Sequence, residues 1–245
     1  MTWVKICGVT NLEDALVAVE AGADAVGFVF YEKSPRCVSV EAAREIVAKL
    51  PESVEKVGVF VGDSATDWVQ VVLSTGVTAV QHYLPLEPDV QTHAAKVLER
   101  DVFPKTPKFF VALPIALFLE AGAPIDELAR DFEHLREDFP GRAPFPDGVL
   151  DTFFLDSGGL QMPGGTGKTF DWEKAVPIAE GMRRGGAKPV VAGGLTPTNV
   201  AEAMKILKPW GVDVSSGVEA RPGKKDPEKV RAFVRVVREM DRKVS

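Results

Sequence analysis

The strongest constraint on the fold is the regular alternation of short apolar segments with segments of helical periodicity. Apolar runs of four to six residues without polar alternation are typical of strands covered on both faces. Between them apolar residues recur at helical spacing, as at Leu12, Leu16 and Val19. Eight such units predict a parallel α/β fold, and favour the closed (β/α)8 TIM barrel over an open doubly wound sheet. The predicted strands are Trp3–Ile6, Ala25–Phe30, Lys56–Val61, Ala79–Gln81, Phe109–Leu113, Thr152–Leu155, Pro189–Ala192 and Val212–Val214.

Capping residues indicate where three of the helices begin. Thr10 and Glu13 have the spacing of a capping box before the first helix, and Gly22 is placed to end that helix. Thr196-Pro197 and Asp226-Pro227 each put a capping side chain before a proline at the first helical position. We therefore expect helices to start beside these residues.

The length of the chain fits one barrel. A barrel of this class has about 250 residues, and this chain has 245, so we expect a single domain over residues 1–245. A proline-rich stretch at residues 99–151 is less regular, although a helix from Ile125 to Arg136 is predicted inside it. Long irregular stretches are unusual in compact domains, and we interpret this one as a variable insertion or as functional decoration.

Composition disfavours several classes of partner and of bound group. The formal net charge of −6 disfavours a nucleic-acid partner, which would require a basic face. The two cysteines, Cys7 and Cys37, are too few for a disulfide framework and suggest reduced thiols. Without a signal-like start or an apolar run of 18 residues, we expect a cytoplasmic protein without a membrane partner. The three histidines form no metal-binding pattern, and we predict no metal.

The barrel predicts where chemistry would occur. Active sites of such barrels lie at the carboxyl ends of the strands and in the loops that follow them. We therefore expect the functional residues to come from these ends, which in this chain are Cys7, Ser34-Pro35-Arg36, Gln81-His82, Asp156, Gly193-Gly194 and Ser215-Ser216-Gly217.

Two of these ends predict a phosphate site. Gly193-Gly194 and Ser216-Gly217 follow the last two strands, where barrels commonly bind phosphate through backbone N–H groups and a helix start. Gly165 and Gly167, in the loop after strand 6, add further candidate donors. That loop lacks the glycine spacing of a nucleotide P-loop. The alternative for all these glycines is that they only form tight turns.

Three side chains are candidates for catalysis and binding. Cys7 ends strand 1 close to Lys5, and a thiolate there can act as a base; otherwise it is a small core residue. Asp156 follows a very apolar strand, where a carboxyl can keep a raised pKa and act as an acid; otherwise it is a capping or turn aspartate. Arg36 is either a clamp for a substrate carboxylate or a solvated arginine.

Several segments together resemble one family, the phosphoribosylanthranilate isomerases. The resemblance covers about residues 4–84 and 152–237, and its ordered combination of motifs is more specific than any single motif. The matching segments are Val4-Lys5-Ile6-Cys7-Gly8-Val9-Thr10, residues 21–30 with Ser34-Pro35-Arg36, Val57-Gly58-Val59-Phe60-Val61, residues 165–172, residues 192–200 and residues 212–219.

The resemblance implies an Amadori rearrangement of an aminoaldose phosphate in tryptophan biosynthesis. By the match of motifs, Asp156 is the general acid, Cys7 the general base, and Arg36 the ligand of the anthranilate carboxylate. Gly193, Gly194, Ser216 and Gly217, with Gly165 and Gly167, are expected to line the phosphate site. Lys5, Gln81, His82 and Asp213 are further expected substrate-site residues. No redox change occurs, so no cofactor is expected.

Two departures from the family leave alternatives open. The family usually has Gln-Leu-His-Gly after strand 4, whereas this chain has Gln81-His82-Tyr83-Leu84, so the histidine is shifted to the other face of a strand. Residues 99–151 are also longer than the family's fifth unit. The alternatives are another enzyme on this scaffold, or a non-catalytic phosphosugar-binding relative. The sequence does not distinguish a monomer from a homodimer.

Overall fold

The structure is a computed structural model that describes residues 1–61, 65–83, 103, 105–115, 119, 122, 125–133, 151–158 and 167–244. Eight parallel strands form a closed barrel, in which β1 pairs with both β2 and β8. The predicted barrel and all eight predicted strands are confirmed, with ends that differ by at most two residues. The strands are β1 Trp3–Ile6, β2 Ala25–Val29, β3 Glu55–Phe60, β4 Ala79–Tyr83, β5 Lys108–Pro114, β6 Thr152–Asp156, β7 Lys188–Val191 and β8 Gly211–Val214.

Helices follow the strands and cover the barrel. After β8 the chain makes a short 3-10 turn, Ser216–Val218, and a small antiparallel pair, β9 Glu219–Arg221 and β10 Lys224–Lys225. In the described part of the chain, none of the helices has both the length and the apolar character needed to cross a membrane. The helices are α1 Leu12–Glu20, α2 Val40–Val47, α3 Ala65–Thr75, α4 Ile125–Glu133, α5 Trp172–Arg184, α6 Val200–Leu207 and α7 Pro227–Val244.

Two of the predicted helix starts are wrong. The cap of α1 is Asn11, whose side chain accepts a hydrogen bond from the N–H of Asp14. Thr10 instead donates its hydroxyl to the carbonyl of Gly223, which ties the loop after β1 to the far end of the chain. A cap needs its side-chain oxygen at the first turn, and here that oxygen has a distant partner.

The start predicted at Thr196 is shifted in the same way. Helix α6 begins at Val200, and Asn199 precedes it. The side chain of Asn199 accepts from the N–H of Thr196 at 2.7 Å and donates to the carbonyl of Gly194 at 3.0 Å, so it orders the loop after β7. The start at Asp226 is confirmed, because its carboxylate accepts from the N–H groups of Glu228 and Lys229.

Alternation along the strands divides the apolar residues into two layers. Side chains that face the barrel interior include Ala25, Val57, Phe110 and Phe154. Their chain neighbours face outward and pack under the helices in a larger cluster. Because side chains alternate with a period of two residues along each strand, only every second residue can contact the other strands' side chains inside the barrel.

The irregular stretch at residues 99–151 contains two predicted elements. Strand β5 is confirmed, and α4 is observed to Glu133. Residues 134–136 of the predicted helix lie outside the described residues, as does most of the stretch. Helix α4 packs closely on α5 at Gly181, where a Cβ would lie only 2.2 Å from the carbonyl oxygen of Ala129. The single domain over residues 1–245 stays a prediction.

Candidate active site

Cys7 lies directly after β1 and faces the barrel interior. Its N–H donates to the carbonyl of Val214 at 2.8 Å, which continues the pairing of β1 with β8. A Cβ at Gly27 would lie 2.8 Å from the Cys7 sulfur and 3.0 Å from Cε of Lys5. The absence of a side chain at Gly27 therefore provides the space that Cys7 and Lys5 occupy.

A buried polar cluster of Lys5, Gln81 and Asp213 fills the interior next to Cys7. The Lys5 ammonium donates to Oε1 of Gln81 at 2.9 Å and to Oδ1 of Asp213 at 3.1 Å. Burial acts to lower the pKa of Lys5, but Asp213 and Cys7 outweigh it and raise that pKa. A cation held in this way can stabilise an anion at its neighbour Cys7.

The thiol of Cys7 is subject to opposing influences. Burial raises its pKa, and the positive charges of Lys5 and Lys225 act in the opposite direction without overcoming it. Without substrate the thiol form is therefore favoured. Both cations are in place to stabilise the thiolate when it forms.

Asp156 ends β6 inside the same mouth of the barrel. Burial raises its pKa, partly opposed by hydrogen bonds from the N–H of Gly158 and from the hydroxyl of Tyr83. These bonds measure 2.7 Å to Oδ1 and 2.8 Å to Oδ2. A buried carboxyl with a raised pKa retains its proton to higher pH, as a general acid requires.

Arg36 forms a bidentate ion pair, but its partner in the structure is Glu219. Both bonds measure 2.8 Å, and Lys225 donates to the same carboxylate at 3.0 Å. Burial acts to raise the pKa of Glu219, but the two cations outweigh it and lower that pKa. The side chain of Arg36 passes close to Gly8, where a Cβ would lie 2.6 Å from Cδ of Arg36, so the absence of a side chain at Gly8 leaves room for the arginine. Arg36 is thus held beside the loop after Cys7.

The glycines after β7 and β8 lie where the backbone leaves no room for a side chain. Gly193 and Gly194 have φ of +81° and +63°. A Cβ at Gly193 would lie 2.6 Å from the backbone nitrogen of Ser157, and one at Gly217 would lie 1.8 Å from the carbonyl oxygen of Leu195. The loops after β6, β7 and β8 are therefore in close contact, which is the arrangement expected of a phosphate site.

The rest of that site is only partly described. Ser216 begins the 3-10 turn after β8. Gly167 adopts φ +72°, and a Cβ there would meet no atom within 4 Å. Gly165 lies outside the described residues.

His82 does not join the predicted site. Its ring lies in the layer under the helices, with its centroid 5.4 Å from those of Phe60 and Phe109. Burial there lowers its pKa to about 4. Because side chains alternate along β4, Gln81 faces inward while His82 faces outward. The substrate-site role expected of His82 is therefore not supported by its position.

Sequence reasoning missed three residues of the site: Tyr83, Glu219 and Lys225. The period of two along β4 was a usable signal for Tyr83, since it puts that residue on the same face as Gln81. Nothing local in the sequence pairs Arg36 with Glu219.

In the described ranges, no three His, Cys, Asp or Glu side chains are grouped so that they could hold a metal ion.

Most of the chain matches one protein family. Residues 4–109 and 134–236 match the family described as N-(5'phosphoribosyl)anthranilate (PRA) isomerase. The chain is 43% identical over 235 residues to the N-(5'-phosphoribosyl)anthranilate isomerase of Geobacter sp. (strain M21), covering 96% of this chain and 97% of the relative.

Solved structures agree with this match. The phosphoribosyl anthranilate isomerase of Thermotoga maritima has a TM-score of 0.74 and 36% identity, over 98% of this chain and 100% of its own. Another structure of such an isomerase, in complex with reduced 1-(o-carboxyphenylamino)-1-deoxyribulose 5-phosphate, has a TM-score of 0.72 and 35% identity over the same shares. With its barrel, its strand-end cysteine and aspartate and its glycine loops, the chain belongs to the phosphoribosylanthranilate isomerase family.

Proposed function

We propose that the chain converts N-(5'-phosphoribosyl)anthranilate to 1-(2-carboxyphenylamino)-1-deoxyribulose 5-phosphate in tryptophan biosynthesis, with Asp156 as general acid and Cys7 as general base. The observation that carries the proposal is the burial of both groups in one barrel mouth, with exposed fractions of 3% and 8%. The complex of a relative with a reduced product supports the substrate class. One acid and one base are sufficient for this isomerisation.

The reaction begins with the acid. Asp156 gives its proton to the ring oxygen of the furanose, the C1–O bond breaks, and the open chain forms a Schiff base between C1 and the anthranilate nitrogen. The raised pKa of Asp156, caused by burial, supports this role because it keeps the carboxyl protonated to higher pH than usual.

The base then acts on the Schiff base. The thiolate of Cys7 removes the proton from C2, and the electron pair of that bond forms the C1–C2 double bond. The π pair of the C1–N double bond returns to the protonated nitrogen, and an enolamine results. Protonation at C1 and loss of the hydroxyl proton give the ketone, so hydrogen is redistributed without net oxidation. The ammonium of Lys5, held by Asp213 and Gln81, stabilises the thiolate that burial disfavours.

Binding roles follow the geometry of the loops. We assign the phosphate to backbone N–H groups of Gly193, Gly194, Ser216 and Gly217, joined by Gly165 and Gly167. Their close-packed loops and positive φ angles support this assignment. The guanidinium of Arg36 is assigned to the anthranilate carboxylate. Its ion pair with Glu219 would hold it in a preset orientation.

The test is the loss of fluorescence of freshly generated phosphoribosylanthranilate. We expect rapid loss with the wild type, and rates lower by orders of magnitude for Cys7→Ser and Asp156→Asn with unchanged circular dichroism. Matched controls are Cys37→Ser, at the exposed second cysteine, and Asp171→Asn, at an exposed helix cap. A wild type that does not exceed the uncatalysed rate would contradict the proposal.

One observation favours a second candidate, a phosphosugar-binding protein without turnover. Tyr83 stands where the family usually has a histidine, and it contacts the proposed acid. Calorimetric binding of the reduced product, combined with no turnover, would identify this alternative.

Assembly and location stay predictions. A Thermotoga maritima relative is described as dimeric, and we expect this chain to be a monomer or a homodimer. Light scattering after gel filtration measures which. A cytoplasmic location is consistent with the proposed pathway.

A further inference from the structure

Tyr83 occupies the last position of β4, on the inner face of the barrel. It follows Gln81 by two residues, and its ring packs against the inner apolar layer. The phosphoribosylanthranilate isomerases usually have a histidine at this place in a Gln-Leu-His-Gly motif, whereas the histidine of this chain, His82, faces outward. The carboxyl end of β4 therefore presents a phenol to the site.

The phenol contacts one specific group. Its hydroxyl donates to Oδ2 of Asp156 at 2.8 Å, while the N–H of Gly158 donates to Oδ1 at 2.7 Å. Each carboxyl oxygen thus has its own donor, one from β4 and one from the loop after β6. Two donors from separate elements prevent the carboxyl from rotating, and both stabilise its ionised form.

We propose that Tyr83 is a positioning residue for the acid step. Its hydroxyl orients the Asp156 carboxyl and helps that carboxyl to release its proton to the substrate. The inference rests on the proposed function of Asp156. The proton leaves Asp156 for the ring oxygen of the substrate. Tyr83 retains its own proton and strengthens its hydrogen bond as negative charge develops on Oδ2.

The charges around Asp156 define what loss of the hydroxyl does. Burial and the carboxylate of Asp213 on β8 raise the pKa of Asp156; the N–H of Gly158, the hydroxyl of Tyr83 and the ammonium of Lys5 on β1 lower it. Cys7 and Asp213 also interact electrostatically with the phenol. Removing the hydroxyl alone leaves burial less opposed, so the pKa of Asp156 must rise.

The experiment compares Tyr83→Phe with Tyr83→His. Phenylalanine keeps the ring and loses the donor; histidine restores a ring N–H donor. For Tyr83→Phe we expect kcat to fall about 10- to 100-fold, the equivalent of a hydrogen bond to a charged group, with KM within about threefold. We expect Tyr83→His to recover most of that loss. Tyr31→Phe, at the only other tyrosine in the sequence, is the matched control and should keep wild-type kinetics.

Two readouts separate positioning from a merely structural role. The limb of the kcat/KM pH profile that reports Asp156 should move to higher pH in Tyr83→Phe and stay near the wild type in Tyr83→His. The same shift should appear in the ¹³C NMR titration of the Asp156 carboxyl, assigned through Asp156→Asn, which does not depend on catalysis.

The outcomes are distinguishable. An active wild type with unchanged kcat and an unmoved Asp156 titration in Tyr83→Phe would overturn the role of Tyr83 while leaving the proposed function intact. A wild type without activity would refute the proposed function, and the NMR titration would still decide whether Tyr83 controls Asp156. If Tyr83→Phe does not fold, Tyr83→Gln serves as the second variant: an amide N–H to Oδ2 should keep the Asp156 titration below its value in a Tyr83→Leu chain, and equal titrations would refute the inference.

Discussion

The burial of His82 predicts a measurable loss of stability in mild acid. The ring lies between Phe60 and Phe109, and its Nε2 has no hydrogen-bond partner among the described residues. Burial lowers the pKa of His82 from 6.5 to about 4. As the pH falls, His82 therefore becomes protonated near pH 6.5 in the unfolded chain but only near pH 4 in the folded chain. The contribution of His82 to the free energy of unfolding is therefore fully present above pH 6.5 and is lost as the pH falls towards 4.

The size of the effect follows from these two pKa values. Each pKa unit corresponds to about 1.4 kcal/mol. Between pH 7 and pH 5 the free energy of unfolding should fall by about 2 kcal/mol from His82 alone. The variant His82→Leu has no titrating group there and resembles the family's own Gln-Leu-His-Gly motif, so it should lack this contribution.

Urea denaturation at pH 7 and pH 5 measures the prediction. The wild type should lose about 2 kcal/mol more stability between the two values than His82→Leu does, because every other titrating group is common to both chains. The control is Phe153→Leu, an apolar exchange in the same outer layer, which should keep the wild-type dependence on pH. Equal losses in the wild type and His82→Leu would refute the reasoning. Catalysis should survive His82→Leu, since the ring faces away from Cys7.

Three further perturbations test the site. Lys5→Met leaves the carboxylate of Asp213 buried without its cation, so urea denaturation should show that the free energy of unfolding falls by about 3–5 kcal/mol. The double variant Lys5→Met with Asp213→Leu should regain most of that stability. If the double variant regains none, the pairing of Lys5 with Asp213 is contradicted. Gly217→Ala puts a Cβ 1.8 Å from the carbonyl oxygen of Leu195, so KM should rise at least about tenfold, and an unchanged KM would argue against a phosphate site there. The pKa of Glu219 is lowered from 4.5, because its two cationic partners outweigh burial, so its stabilising effect is present above 4.5 and is lost as the pH falls below it. Glu219→Gln should therefore show a smaller acid-induced fall in thermal midpoint than the wild type.

The barrel was predictable because its signals are local. A strand buried on both faces needs a short apolar run, as at Thr152–Asp156, and that requirement is met within the run itself. The carboxyl ends of the strands follow from the same periodicity, which is why Cys7 and Asp156 were identified as strand-end residues; β4 extends two residues beyond the predicted end at Gln81. Asp226 was a correct helix cap because its bonds are to residues two and three positions away.

Predictions were wrong where local signals competed. Thr10 and Asn11 are both good caps for α1, and only the folded chain shows that Thr10 is engaged by Gly223. Thr196 was displaced by Asn199, whose side chain spans the loop after β7. Each choice depends on the path that the chain takes between elements, which the local sequence does not contain.

The sequence by itself determined the eight strands and placed Cys7 and Asp156 at the ends of two of them. Only the tertiary structure decided the partners, because the pairs join residues far apart in the chain: Tyr83 with Asp156 at a separation of 73, Arg36 with Glu219 at 183, and Lys5 with Asp213 at 208. The protonation of these groups depends on burial and on those partners together. Closure of the barrel brings the partners together and removes water from them, and so shifts the pKa values of Asp156 and Cys7.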